Sequence, residues 1–249
     1  MSGENKLTTT ATSLEILEMI AEDGGTTLRA LVQKTGLAKS TVHKHLSTLQ
    51  ANDLIVKQGE QYLLGLHHLA LGKQAVEMRD RYQLVKKEIE ELRNRIEADM
   101  DFTVEENGRL ILVSEATRTV NESIFVPGTK FYLHNTAAGK AILASFSEQR
   151  VTEILDEHGL PQRTSKTIQS RSSLLSELDA IQKRGYALND GECVEGYRSV
   201  SSAIMNPDGS VLGAISIGGP TYRIDKARLK DNYADIILQT TNSIEDKIS

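Results

Sequence analysis

The sequence predicts an α+β chain in two parts: a small helical domain closed by a hairpin, then an antiparallel sheet flanked by helices. Three observations predict it. Three short helical stripes, divided by Gly24-Gly25 and Gly36, fill the first fifty residues. Consecutive hairpin signals with helices set apart from them fill the second half. Charge is also segregated. Between Thr27 and Lys57, five bases (Arg29, Lys34, Lys39, Lys44, Lys57) face one acid, Asp53, although the chain as a whole carries a net charge of −5. A local basic stretch is the relevant footprint for phosphate binding; the whole-chain charge is not.

Composition removes several classes. The 249 residues allow one large domain or two smaller ones, and 39% apolar with 25% charged residues is globular rather than disordered. Apolar runs such as Leu110–Val113 fall far short of the ~20 residues of a membrane span. Met1–Thr12 lacks the apolar core of a secretory signal. A single cysteine excludes an intramolecular disulfide framework and a cysteine-based zinc finger. The expectation is a cytoplasmic protein without membrane contact.

Taken in order, Thr12-Ser13-Leu14-Glu15 reads as a capping box opening a first helix, with Leu14, Leu17, Ile20 and Ala21 at helical spacing up to Gly24-Gly25. Thr27 caps a second helix with the stripe Leu28, Leu31, Val32, and Gly36 supplies its left-handed end. A third begins near Ser40, buries Val42, Leu46 and Leu49, and runs to Asn52-Asp53. Two short helices joined by a tight glycine turn have the spacing of a helix-turn-helix. With Val42, Leu46 and Leu49 inward, a helical repeat turns Ser40, Thr41, Lys44, Ser47 and Thr48 outward and leaves His43 and His45 on the flanks. That face holds short hydroxyls and a lysine and no acid, so it can approach a duplex closely and meet phosphates or base edges. Leu54–Lys57 and Tyr62–Leu64 around Gly59 read as a hairpin wing, with Lys57 placed against backbone; Gly65–Gly72 resumes helical spacing as a connecting helix.

The strings Gly36–Leu49, Tyr62–Leu66, Leu133–Ala144, Arg184–Ala187, Glu192 with Gly196, and Gly213–Pro220 resemble the isocitrate-lyase-regulator (IclR) family of bacterial and archaeal transcription factors, in the family's order and spacing. The resemblance implies a winged helix-turn-helix DNA-binding domain (1–66), a linker helix (67–80) and a GAF-like effector-binding and oligomerisation domain (81–249).

In the second part, Tyr82–Ala98 reads as an amphipathic helix, and Phe102–Glu105, Asn107-Gly108 and Leu110–Val113 as a hairpin with a primed turn. A strand is expected at Val120–Val126. Helices are expected near Ala137–Ser145, Glu148–Glu157 and Ser173–Lys183, and strands at Tyr186–Leu188, Val200–Met205 and Val211–Ile217. A last helix is expected over Lys226–Ile248. Carried over by resemblance, an effector cup comprises Ala137 and Ala138, Asn189, Ser199, Ser216 and Gly218, with Val120, Ser123 and Phe131 as walls. Ala137-Ala138 opening a helix would offer backbone N–H groups and the positive end of the helix dipole. Asn189 stands where the family often has an acid and Gly218 where a second serine is frequent, which implies a less acidic cup with one hydroxyl fewer.

Other constellations are weaker. Gly139-Lys140 fails the phosphate-loop pattern at His134 and Ala141. The pairs His43/His45 and His67-His68 lack carboxylate partners at metal-ligand spacing. Cys193 beside Glu192 is disfavoured as a thiolate, leaving a redox sensor as an alternative. Ser199, Ser201 and Ser202 lack a nucleophile elbow, so a metabolite-converting enzyme with an appended helical domain is the remaining rival. The expectation is a non-enzymatic regulator of a metabolic operon, without cofactor or metal. It would bind a pseudo-palindromic double-stranded operator as a homodimer or homotetramer and respond to a small-molecule effector. The proposed DNA-facing residues are Thr27, Lys39, Ser40, Thr41, His43, Lys44, Ser47, Thr48 and Lys57.

Overall fold

The computed structural model describes residues 7–93, 95–116 and 125–248, in two compact units that divide between Met78 and Arg79. The first holds α1 (Thr8–Glu22), β1 (Thr26–Thr27), α2 (Leu28–Thr35), α3 (Lys39–Ala51), β2 (Ile55–Gln58), β3 (Gln61–Leu64) and α4 (His67–Glu77). Three helices pack through Ile16, Ile20, Leu31, Val42, Leu46 and Leu49, and the wing joins them through Ile55 and Tyr62. The wing is a three-stranded sheet, because β1 pairs Thr26 with Tyr62 ahead of the helix that Thr27 caps. That strand is too short to leave a periodic signal in sequence.

One correction concerns α1. It starts at Thr8 behind Leu7, so Thr12 is no cap; its hydroxyl donates to Thr8 O at 3.0 Å inside the helix. The true stripe is Ser13, Ile16, Leu17 and Ile20, and Leu14 is exposed.

The second unit is built on a six-stranded antiparallel sheet in the order β6-β5-β4-β9-β8-β7. Its strands are β4 (Asp99–Glu106), β5 (Arg109–Ala116), β6 (Lys130–Tyr132), β7 (Ala187–Asp190), β8 (Tyr197–Met205) and β9 (Val211–Pro220). Strand alternation gives the sheet two faces. Met100, Phe102, Val104, Ile215 and Ile217 pack with Val85 and Ile89 of α5 (Asp80–Arg93) and with Ile237 and Ile244 of α10 (Ala234–Ile248). Leu110 and Ala214 pack on the other side with α6 (Ala137–Ala144), α7 (Glu148–His158) and α8 (Arg171–Arg184). Asn107 and Gly108, with φ of 53° and 73°, make the β4–β5 turn that an Asn-Gly pair favours.

The structure redraws several boundaries. The helix expected to reach Ala98 is α5, described over Asp80–Arg93; residues 95–98 are not helical, and Ile96 and Ala98 are buried as the chain enters β4. The helix expected near Ser173–Lys183 begins earlier, at Arg171, because Ser170 caps it by accepting from the Ser173 N–H at 3.1 Å. The last helix is divided into α9 (Lys226–Arg228), a π-helical turn (Leu229–Tyr233) and α10; the wide turn buries both Leu229 and Tyr233. Of the strand expected at 120–126, residues 120–124 lie outside the described residues, as do the wall positions Val120 and Ser123. Phe125 and Val126 are not in a strand.

Candidate nucleic-acid interface and ligand cavity

The first site is built on α3. Thr27 accepts from the Ala30 N–H at 3.2 Å and so starts α2, and Gly36 ends it at φ 67°, a conformation that costs other residues strain. The chain then enters α3 behind Ala38, which brings no side-chain cap to the helix N-terminus. First-turn N–H groups without an intrahelical acceptor are suited to a phosphate oxygen. Burial of Val42, Leu46 and Leu49 leaves Lys39, Ser40, His43, Lys44, Ser47 and Thr48 exposed and Thr41 partly so.

Ser47 donates to His43 O at 2.9 Å and Thr48 to Lys44 O at 3.0 Å. Each hydroxyl keeps acceptor capacity and can re-aim its hydrogen outward. Lys34 belongs less to this face, since Asp23 neutralises it at 2.6 Å. Lys57 is exposed on β2 and leans over the Tyr62 ring at 5.6 Å. Thr27 is partly buried, with its hydroxyl engaged as a cap.

His45 is no flank residue. It is 8% exposed, and its Nδ1 lies 2.7 Å from Ser13 Oγ on α1. Ser13 donates onward to Thr9 O, which assigns the proton between the two side chains to His45 Nδ1. The periodicity of α3 places position 45 beside Val42 and Leu49, and this was the available signal.

The second site is a partly open cavity on the α6 side of the sheet, with about 460 Å³ of space including the solvent at its opening. Phe131, Ala137, Ala138, Asn189, Ser199 and Ser216 all line it. Thr136 positions α6 there by accepting from the Gly139 N–H at 3.0 Å. Gly218 does not line the cavity. A Cβ at that position would lie 2.7 Å from Arg198 O and 2.8 Å from Ser199 Cβ, so the close approach of β8 demands glycine and no hydroxyl is missing from the wall.

Asn189 is on the wall but bound to backbone: it donates to Asn135 O at 3.2 Å and accepts from the Glu192 N–H at 2.9 Å. It therefore ties the β7–β8 loop to the turn before α6. Lys140, 2% exposed, reinforces the tie by an ion pair to Glu192 at 2.6 Å. Burial pushes the Glu192 carboxyl above its ordinary range, against the pull of the Lys140 ammonium.

Sequence reasoning missed Asp101, Thr103, Phe125 and Tyr197, which also line the cavity. The signal was alternation in β4: Met100, Phe102 and Val104 point to one core, so Asp101 and Thr103 must point to the other face. Asn189 brings no charge to the wall, but Asp101 does: a carboxylate lines the cavity. Burial raises the Asp101 carboxyl to about 6, opposed by a hydrogen bond from Ser216 and helped by Glu115 and Asp99. Cys193 also lines the cavity; burial pushes its thiol up to about 11, which leaves little thiolate for redox chemistry. Burial also lowers the His134 pKa, and its Nε2 lies 3.3 Å from Pro161 O, a packing position. Among the described residues, no three His, Cys, Asp or Glu side chains are grouped to hold a metal, and no helix is long and apolar enough to cross a membrane.

These two sites sit in regions with known relatives. The IclR helix-turn-helix domain matches residues 11–59, and the C-terminal domain of the bacterial transcriptional regulator IclR matches 73–246. The chain is 31% identical over 230 residues to the transcriptional repressor IclR of Escherichia coli, covering 90% of this chain and 84% of that protein. It is 29% identical over 250 residues to the probable HTH-type transcriptional regulator ArcR of Halobacterium salinarum, covering 98% and 95%. The crystal structure of an IclR transcriptional regulator from Alicyclobacillus acidocaldarius has the same fold, with a TM-score of 0.82 at 20% identity over 98% of this chain and all of that one. The chain belongs to the IclR family of transcriptional regulators and carries that family's DNA-binding helix-turn-helix domain.

Proposed function

We propose that the protein binds a pseudo-palindromic operator through α3 and the wing as a homodimer or homotetramer, and that a small molecule in the α6 cavity sets the affinity of that binding. The observation that carries this reading is the acid-free, exposed face Lys39–Thr48 on a helix whose other side is locked into the core. One winged unit makes few base contacts, so pairing two copies raises affinity through effective concentration. Helix α4 supports pairing: none of its residues is buried, Leu69 and Leu71 within it are exposed at 74% and 46%, and Leu66 and Met78 at its two ends at 86% and 83%. Apolar surface of this extent on a helix suits a second copy of the chain. The cavity acts by binding rather than turnover. Among the described residues its wall carries no histidine, and its thiol is held protonated.

Binding is tested by fluorescence anisotropy of DNA fragments flanking the protein's own coding region, with unrelated DNA as competitor. Saturable binding to one fragment with twofold footprint symmetry is expected; equal binding to every fragment contradicts the proposal. Effector control is tested by Ser199→Trp, which fills the cavity: operator binding persists and its response to metabolite extracts is lost.

A further inference from the structure

We propose that the cavity takes a small organic cation, an alkylated ammonium group seated between the Asp101 carboxylate and the rings of Phe125, Phe131 and Tyr197; this rests on the cavity being the effector site. Four observations meet there. Among the described residues the wall carries one carboxylate, Asp101, and no Lys, Arg or His, so the charge those residues present to a ligand is negative. The three aromatic side chains form a continuous group, with Phe125 centred 5.7 Å from Phe131 and 5.0 Å from Tyr197. Ring faces beside a carboxylate attract a cation by their quadrupole, more strongly where water is excluded.

Asp101 also pays for its place. It stands directly across from Glu115 on β5 and near Asp99 on its own strand, and both carboxylates raise the cost of ionising Asp101, a cost that a cation beside it offsets. Asp99 is itself paired with Arg223 at 2.6 Å. Facing Asp101 from the other neighbouring strands are Ser216 on β9, which donates a hydrogen bond to it, and Tyr197 on β8. Finally, a primary ammonium would need three acceptors. The rings of Phe125 and Phe131 offer none, so an ammonium carrying methyl groups, which can rest against them, fits that side of the wall better.

The test uses three molecules of nearly one shape: choline, its neutral carbon isostere 3,3-dimethylbutan-1-ol, and the anion 3,3-dimethylbutyrate. Each is titrated into the full chain at pH 7.5 by calorimetry and by thermal melting. Choline is expected to bind at least tenfold more tightly than the alcohol and to raise the melting temperature. Asp101→Asn should bring choline down to the level of the alcohol, and Phe131→Leu should weaken choline while leaving the alcohol nearly unchanged. Tighter binding of the anion, equal binding of choline and alcohol, or no binding of any of the three overturns the cation. Failure of the effector reading shows elsewhere: Ser199→Trp would then leave the response of operator binding to metabolite extracts intact.

Discussion

Lys140 of α6 and Glu192 of the β7–β8 loop, 52 residues apart in sequence, form a nearly buried ion pair at 2.6 Å. The pair joins the helix that presents Ala137 and Ala138 to the loop that presents Cys193 and Val194, and so ties two sides of the cavity alongside Asn189. Removing one member leaves the other charged and buried. Lys140→Met is expected to lower unfolding free energy by about 3 kcal/mol. The double replacement Lys140→Met with Glu192→Leu should cost much less, because no lone charge remains. Urea melts of the two variants check this; equal losses would show that the pair itself is the stabilising element.

Ser13 and His45 make a smaller prediction. Ser13→Ala leaves the His45 ring nitrogen without its partner between α1 and α3, at an expected cost of about 1 kcal/mol. The same variant should leave the salt dependence of operator binding unchanged, since His45 is packed rather than phosphate-facing. Anisotropy titrations at several salt concentrations, beside a urea melt, measure both.

The Asp101 carboxyl predicts a pH profile with a definite sign. Its pKa in the folded chain is about 6, against an ordinary 3.8, so between those values the folded state holds more protons than the unfolded one. This contribution to stability is complete below about pH 4 and is lost as pH rises through 6. Asp101→Asn should therefore be more stable than the parent at pH 7.5 and show a shallower decline from pH 4.5 to 7.5 in melting temperature. Parallel profiles for the two proteins would contradict the burial of this carboxyl.

What could be read in the sequence was local. Thr27 and Gly36 bracket α2 by side-chain capping and a left-handed turn, both of which depend on a few adjacent residues. Asn107-Gly108 fixed a hairpin for the same reason. The outward face of α3 was legible because one apolar stripe determines everything opposite it. Thr12 misled because its spacing to Glu15 imitates a cap, while the helix had already begun at Thr8. Asp101 was overlooked because alternation says which residues share a face but not which face opens into a hole; that depends on α6, more than thirty residues away. Gly218 is the converse case, where the resemblance suggested a lost hydroxyl and the crowding of Ser199 and Arg198 shows why none fits.

If the Lys39–Thr48 face of α3 enters the operator, Lys44→Ala removes a cation from the middle of the contact. Dissociation constants for the flanking DNA fragment, measured for parent and variant from low to physiological salt, should show weaker binding by the variant and a logarithmic salt slope reduced by about one. Unchanged affinity and unchanged slope would mean that this face does not touch DNA.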